Sequence, residues 1–226
     1  MTTDTGGKRP PRRLSHYLER TEELRQIADL RSTDRVLDVG CAEGLIALEV
    51  AGSVGHVHGI DTSRSRIAAA IRDAAERQIP NATFEVASVV DYELEPETWD
   101  VSLFMCVWGK AVTGDDSRTI GAAELGRVLR ATRRQVVIRT GVQHERRAEP
   151  KLEEILALCD RHSFDALCFS QTAEDEVAVN ANTIIANRRG SGARTGRLPV
   201  LALMPTSMLT DHPVVRSSAS STEDVA

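Results

Sequence analysis

The sequence predicts an α/β protein built on a mostly parallel sheet of seven strands. Short apolar runs typical of buried strands alternate along the chain with longer amphipathic segments typical of helices. The first apolar run ends at a glycine-rich turn and continues directly into a helical run, over residues 36–51. Strands that alternate with helices of this length form βαβ units with right-handed crossovers, so we expect helices on both faces of the sheet.

Each predicted strand is a short apolar run bounded by turn residues or by a helical pattern. The predicted strands are 35–39, 56–60, 82–86, 99–107, 135–139, 164–169 and 182–186. The fourth is nearly continuous in its apolar character, as expected of a central parallel strand. The helices are predicted from apolar residues at steps of three and four, over 14–30, 45–51, 65–78, 114–129 and 149–159.

The ends of the chain differ in composition from its centre. Residues 1–13 are polar and basic and are interpreted as a mobile arm, and residues 14–187 as the domain itself. Residues 188–215 are predicted to be a C-terminal extension that packs on the domain or on a partner subunit. It starts with a flexible basic linker over 188–196 and contains an apolar segment at 198–204. Residues 216–226 are predicted to be a disordered tail.

The composition narrows the functional class. The chain has 226 residues, 41% of them hydrophobic and 27% charged, and a net charge of −5, which argues against non-specific nucleic-acid binding. No segment approaches the apolar length of a membrane span, and the first residues lack the apolar core of a signal peptide. The four cysteines form no CxxC pair and no zinc-ligand spacing, so no metal site is predicted. We therefore expect a cytoplasmic protein with a small-molecule partner.

The chemistry is predicted by the turn that follows the first strand, Val36-Leu37-Asp38-Val39-Gly40-Cys41-Ala42-Glu43-Gly44. Such a turn exposes backbone N–H groups at the start of a helix. Asp61 ends the second strand 21 residues after Gly40, where an acid in an open α/β sheet accepts hydrogen bonds from a ribose. The turn lacks the GxGxxG pattern, and Glu43 would oppose a pyrophosphate. These residues together favour a ligand with a ribose and a positive charge but no phosphate.

The sequence resembles the class I S-adenosylmethionine-dependent methyltransferases over about residues 15–187. VLDVGCAEG matches their first motif, and GIDTS matches their acidic second-strand end. The resemblance implies a Rossmann-like three-layer sandwich with an antiparallel last strand. It also implies S-adenosyl-L-methionine as cofactor and S-adenosyl-L-homocysteine as product.

The resemblance assigns cofactor contacts residue by residue. The turn would line the amino-acid end, Asp61 and Thr62 the ribose, and the residues after the third strand the adenine, while the end of the fourth strand would lie beneath the sulfonium. Many family members have Asp where this chain has Ser88, which implies a weaker or backbone contact. The remaining cofactor candidates are Asp38, Gly40, Cys41, Ala42, Gly44, Val89, Met105 and Cys106.

The acceptor is expected to approach from the ends of strands four and five, so Trp108, Lys110 and His144 are substrate candidates. Tyr17, on the first predicted helix, is a further candidate. His144 is a possible general base, because its pKa range suits neutral pH, or else a solvated loop histidine. Trp108 either stacks on a substrate or fills the edge of the core. Lys110 either orients an anionic acceptor or lies on the surface, and Tyr17 either closes over the cofactor or packs.

Two further clusters have a structural alternative. Arg139, Arg146 and Arg147 suggest an acidic or phosphorylated acceptor, but we interpret them as a partly solvated face. His56 and His58 alternate on a strand away from the mouth and are expected to be structural.

The sequence thus predicts a methyltransferase of a small molecule, more readily an O-methyltransferase of a sugar or secondary metabolite in biosynthesis, and a homodimer is possible. One alternative is an RNA or protein methyltransferase, supported only by the basic termini and the 188–197 segment. A non-catalytic scaffold that binds S-adenosylmethionine is the alternative from another class.

Overall fold

The computed structural model describes residues 21–105, 107, 120–139, 152–170 and 182–195. Its strands are β1 (Arg35–Val39), β2 (His56–Asp61), β3 (Ala82–Val86), β4 (Trp99–Met105), β5 (Thr132–Arg139), β6 (Phe164–Ser170) and β7 (Asn182–Arg188). Its helices are α1 (residues 21–27), α2 (Leu45–Ala51), α3 (Arg64–Glu76), α4 (Ala122–Ala131) and α5 (Leu152–Arg161).

The seven strands form one sheet in the order β3-β2-β1-β4-β5-β7-β6. Strands β1 to β5 are parallel, and β7 runs antiparallel to both of its neighbours. The carboxyl ends of β1 to β5 therefore lie along one edge of the sheet. The prediction of a seven-stranded, mostly parallel sheet with a reversed last strand is confirmed.

The core has two parts, one on each face of the sheet. Consecutive residues of the central strands belong to opposite parts: Phe104 packs with α4 and α5, whereas Leu103 packs with α1 and α2. Burial on both faces explains why these strands read as continuous apolar runs rather than alternating ones. The three-layer arrangement expected from the sequence is confirmed.

Several predicted element boundaries differ from the structure by a few residues, among them those of β5, α4 and β4. Strand β5 begins at Thr132 rather than at 135, because Arg134 is buried there and pairs with Asp34 instead of facing water. Helix α4 begins at Ala122 rather than at 114, after a turn in which the Gly121 amide donates to Glu124 Oε2 at 2.8 Å. Strand β4 ends at Met105 rather than at 107.

His58 has a packing role, as the sequence indicates. Its Nδ1 lies 2.9 Å from Thr83 Oγ1, and its ring stacks on Trp99 with 5.8 Å between centroids. Burial lowers the pKa of His58, which favours its neutral form in this stack.

Helix α1 is fixed to the carboxyl edge of the sheet by a buried ion pair. Arg139 at the end of β5 lies 2.7 Å from Glu23 Oε2, and Thr183 Oγ1 donates to the other carboxylate oxygen at 3.3 Å. Arg139 is only 4% exposed, so its assignment to a solvated face is wrong. Arg146 and Arg147 lie outside the described residues.

The last residue of β7 and the residues that follow it, 188–195, are hydrogen-bonded to the domain. Arg188 Nη2 donates to the Thr132 carbonyl at 2.6 Å, and Gln135 Nε2 donates to the Arg194 carbonyl at 3.2 Å. The expectation of a flexible linker is therefore wrong for these residues. The apolar segment 198–204 and the predicted arm and tail lie outside the described residues.

Among the helices that the structure describes, none combines the length and the apolar character needed to cross a membrane.

The ion pair between Glu23 and Arg139 gives a stability prediction. We expect Arg139→Met to lower the free energy of unfolding by about 3 kcal/mol, because it leaves the Glu23 carboxylate, whose side chain is only 13% exposed, without its countercharge. The double variant Glu23→Leu/Arg139→Met should recover much of that loss. Urea denaturation of the three proteins measures both changes.

Arg72→Met is the matched control, because Arg72 and Glu76 form an exposed pair at 4.0 Å on α3. That variant should change stability by less than about 1 kcal/mol. Equal losses for Arg72→Met and Arg139→Met would contradict the structural role of the buried pair.

Candidate functional site

The turn after β1 is closely packed and depends on residues without a side chain. Gly40 has φ +71°, and a Cβ there would lie 2.3 Å from Val107 Cγ1. Gly44 has φ +74°, and its Cβ would lie 2.7 Å from the ring of Phe84. Both the left-handed backbone and the lack of space therefore require glycine.

The backbone N–H groups of the turn are used inside the protein. The amides of Gly40 and Cys41 both donate to the Ile60 carbonyl, at 2.8 and 3.0 Å, and the Ala42 amide donates to Asp61 Oδ2 at 3.0 Å. The expectation that the turn exposes these donors is therefore wrong for residues 40–42. Because these amides already have partners, they cannot bind a pyrophosphate, which is a second argument against that ligand besides the charge of Glu43.

Glu43 itself has a partner. Its Oε1 lies 3.5 Å from Arg66 Nε on the first turn of α3, and both side chains are partly exposed. The negative charge of Glu43 is thus partly balanced, and the engaged amides are the stronger argument against a phosphate ligand.

Asp61 lies at the carboxyl end of β2 and faces the turn. Its Oδ2 accepts from the Ala42 amide, and its Oδ1 accepts from the Ser63 amide at 2.9 Å. Thr62, the residue between Asp61 and Ser63, is half-buried, as Asp61 is. An ionised carboxylate has about four acceptor positions, so two hydrogen bonds leave capacity for a pair of hydroxyls.

Asp38 is the buried acid of the site. Its side chain is 3% exposed, and its Oδ2 has no hydrogen-bond partner among the described residues. Burial, together with the negative charge of Asp61, raises the pKa of Asp38 to about 7. A ligand with a positive charge near this carboxyl would stabilise its ionised form, so Asp38 and Asp61 fit a cationic nucleoside cofactor.

Cys41 is not available as a nucleophile. Its side chain is buried, and burial together with the charges of Asp38 and Asp61 raises the pKa of its thiol far above the usual range. Cys41 also fills the space beside Gly59, where a Cβ would lie 2.8 Å from its Sγ. Its role in the turn is packing.

The residues expected at the adenine form a tight turn after β3. The Ser88 carbonyl accepts from the amides of Asp91 and Tyr92 at 3.0 and 2.8 Å, and Ser88 Oγ accepts from the Val90 amide at 3.2 Å. Val89 is 3% exposed and packs in the core, so only its backbone can reach a ligand. An acidic cleft beside the turn is lined by Glu85, Val86, Ala87, Ser88, Asp91, Tyr92, Glu93 and Glu95.

The structure describes one of the residues expected at the sulfonium and none of those expected at the acceptor. Met105 is half-buried at the end of β4, opposite Arg139 in register. The other predicted residues, Tyr17, Cys106, Trp108, Lys110 and His144, lie outside the described residues.

Sequence reasoning missed Arg127. This α4 residue donates to three backbone carbonyls of the turn after β3. It follows the buried Leu125 and precedes the buried Val128, and nothing in that local pattern separates it from an exposed helix arginine.

The fold and the two carboxylates around the turn define a class of protein: an open α/β domain that binds a nucleoside cofactor at the carboxyl edge of its sheet. The model of the methyltransferase domain family matches residues 30–178. The chain belongs to this family. The sequence-based prediction of a class I, S-adenosylmethionine-dependent methyltransferase is confirmed.

Solved structures of other proteins have the same fold as this chain, although their sequence identity to it is low. Magnesium protoporphyrin IX methyltransferase (ChlM) from Synechocystis PCC 6803 with bound S-adenosylmethionine has a TM-score of 0.60 and 16% identity, over 80% of this chain and 86% of that one. The [4+2]-cyclase SpnF has a TM-score of 0.63 and 14% identity, over 81% of this chain and 85% of that one.

One curated relative is more similar over a short segment. The 23S rRNA (uracil(1939)-C(5))-methyltransferase RlmD of Methylococcus capsulatus is 37% identical over 68 residues, or 30% of this chain. The match spans only 15% of that relative's length.

The backbone of the turn gives a second prediction. Ala42 has φ +51°, a left-handed conformation that costs a non-glycine residue about 1 kcal/mol. We expect Ala42→Gly to raise the free energy of unfolding by up to about 1 kcal/mol and Gly40→Ala to lower it by at least about 2 kcal/mol, because of φ and the Val107 contact. Chemical denaturation checks both; a destabilised Ala42→Gly protein would show that the turn is not strained.

The pKa of Asp38 gives a third prediction. Because the folded pKa of about 7 exceeds the ordinary aspartate value of 3.8, the folded state binds the proton more tightly than the unfolded state, and stability falls as pH rises from about 4 to about 7. Between pH 5 and pH 8 this group should remove up to about 3 kcal/mol of stability. Asp38→Asn should lack that loss and should be more stable than the wild type at pH 8.

The difference in pH-dependent stability between the wild type and Asp38→Asn reports the contribution of Asp38 alone. His56, His58 and His162 have lowered pKa values because of burial, and they act in the opposite direction in both proteins. Asp73→Asn, on α3, should keep the wild-type pH dependence. Identical profiles for wild type and Asp38→Asn would show that Asp38 ionises normally.

Proposed function

We propose that this methyltransferase transfers the methyl group of S-adenosylmethionine to a small-molecule acceptor, more readily to oxygen than to nitrogen. The observation that carries the cofactor part is the pair of carboxylates around the turn. The buried Oδ2 of Asp38 has no hydrogen-bond partner among the described residues, and Asp61 has spare acceptor positions. The likeness to a magnesium protoporphyrin IX methyltransferase supports a small-molecule acceptor.

The residues of this chain would hold the cofactor along the carboxyl edge of the sheet. Asp61 would accept from the ribose hydroxyls, and Asp38 would face the positively charged amino-acid end. The backbone at Ser88 and Val89 would meet the adenine, and Met105 would lie near the sulfonium. When bound, the cofactor supplies an activated methyl group.

The protein must align the acceptor atom with the methyl group, and positioning alone supplies several kcal/mol of the barrier. An oxygen acceptor also needs a group that takes its proton, and we propose His144 as that base. Trp108 and Lys110 are proposed to contact the acceptor, because the segment that follows β4 starts at the crevice of the sheet. Tyr17, on the predicted first helix, is proposed as a further contact.

Two other functions have specific support. The short match to an rRNA methyltransferase favours an RNA acceptor, although the net charge of −5 does not. The likeness to a cyclase with this fold favours a protein that keeps the cofactor fold but transfers no methyl group. A methyl-transfer assay with a metabolite collection and with total RNA separates the three.

We also propose a cytoplasmic, biosynthetic enzyme. A homodimer is proposed as its oligomeric state, which sedimentation of the full chain would test.

The cofactor assignment gives a fourth prediction. Asp61→Asn should weaken S-adenosylmethionine binding at least tenfold, because one hydrogen bond to a charged group contributes about 1.5–3 kcal/mol and 1.4 kcal/mol is a factor of ten. Isothermal titration calorimetry measures the dissociation constant. Asp73→Asn, on the surface of α3, is the control and should bind like the wild type.

Calorimetry also tests the family assignment as it applies to this chain. Wild-type protein that binds neither S-adenosylmethionine nor S-adenosylhomocysteine would remove the enzyme proposal.

Once an acceptor is found, His144→Ala should lower kcat at least a hundredfold if oxygen is the acceptor. Full turnover by that variant would remove His144 as the base.

A further inference from the structure

The turn after β3 has the geometry of a single helical turn with unsatisfied carbonyls at its end. The amides of Asp91 and Tyr92 both donate to the Ser88 carbonyl, which closes one helical turn within five residues, 88–92. The carbonyls that follow Ser88 cannot find partners inside so short a turn, as at the carboxyl end of any helix.

Arg127 supplies these partners from the neighbouring helix. Its Nη1 donates to the carbonyls of Val89 and Val90 at 2.7 and 2.5 Å, and its Nη2 donates to the Tyr92 carbonyl at 2.5 Å. The planar guanidinium holds several donors in a fixed fork, which a lysine or an amide cannot reproduce. One side chain therefore binds three of the carbonyls of the turn, in addition to the contacts that the turn makes within itself.

The part of α4 that carries Arg127 is tightly packed. The neighbouring residues Leu125, Val128 and Leu129 on α4 are fully buried against the sheet. Arg127 itself is half-buried, and its three hydrogen bonds reach across 35 to 38 residues of sequence. The position of the turn thus depends on α4 as well as on the hydrogen bonds of Ser88 within the turn.

The turn also starts beside the residue assigned to the ribose. The Ala87 amide donates to the Asp61 carbonyl at 3.1 Å, so a shift of residues 88–92 would move the backbone next to the ribose subsite. The glycine-rich turn of residues 40–44 is held by other contacts, to Ile60 and Asp61. Loosening the turn after β3 should therefore affect one end of the cofactor site only.

We propose that Arg127 is a positioning residue that holds the turn 88–92 so that its backbone at Ser88 and Val89 can select the adenine ring of the cofactor. The inference rests on the proposed function, in which this turn meets the adenine. Arg127 touches neither the cofactor nor the reacting atoms, and its effect passes through the three carbonyls that it fixes.

The test uses the full-length protein and two ligands that differ only in the base. S-adenosylhomocysteine carries the adenine amino group, and S-inosylhomocysteine carries a carbonyl at the same position. Calorimetry of wild type, Arg127→Met and Arg127→Lys with both ligands gives the preference for adenine as a ratio of dissociation constants. Arg130→Met, an exposed arginine on the same helix, is the matched control.

We expect Arg127→Met to weaken S-adenosylhomocysteine binding about tenfold or more and to lower the preference for adenine by a similar factor. Arg127→Lys should fall between that variant and the wild type, because one ammonium can satisfy only part of the carbonyl set. Arg130→Met should leave both dissociation constants within twofold of the wild type. If Arg127→Met does not fold, the Arg127→Lys ratio decides the question.

Three results would overturn the inference: unchanged binding by Arg127→Met, an equal loss of affinity for both ligands, or a wild type with no preference for adenine. An equal loss would mean that Arg127 only stabilises the domain. Failure of the wild type to bind S-adenosylhomocysteine would instead remove the proposed function itself, so the two failures are distinguishable.

Discussion

The close approach of the turn after β1 to the end of β2 is the constraint on which the site depends. Two consecutive amides, of Gly40 and Cys41, share the Ile60 carbonyl, and the next amide, of Ala42, binds the Asp61 carboxylate. This approach is possible only because Gly59 leaves room for Cys41. The same contacts that join two strands of the sheet therefore also aim the acid that is assigned to the ribose, so fold and site cannot be separated here.

A second consequence of this approach is electrostatic. It brings Asp38, which is almost fully buried, into the field of Asp61, and two carboxyls in such surroundings do not both ionise readily. The arrangement disfavours the charged form of Asp38 in the protein alone and favours a cation beside it. Functional sites commonly accept a local loss of stability of this kind, since the interactions that offset it are made with the ligand.

The sequence predicted the elements whose signal is local. Strands 35–39 and 82–86 have the predicted bounds, and Asp61 lies where the spacing indicated. It did not predict the roles of Arg127, Arg134 and Arg139, whose partners lie 35 to 116 residues away along the chain. A periodicity argument assigns every arginine to water, because the cost of burying its charge is offset only by a distant carboxylate or carbonyl. For this reason the start of β5 and the contacts of the turn after β3 could not be predicted from the sequence.

The parts of the site are held in place by different contacts. The turn at 40–44 is held by backbone contacts and by glycines without side chains, whereas the turn at 88–92 also depends on a guanidinium from α4. The acceptor is expected at neither turn but at the segments that follow β4 and β5, near the edge where Arg139 and Glu23 join α1 to the sheet. Changes in those segments need not disturb either cofactor turn. A fold divided in this way can keep one methyl donor while its acceptor changes, which is why the family identifies the donor and leaves the acceptor to experiment.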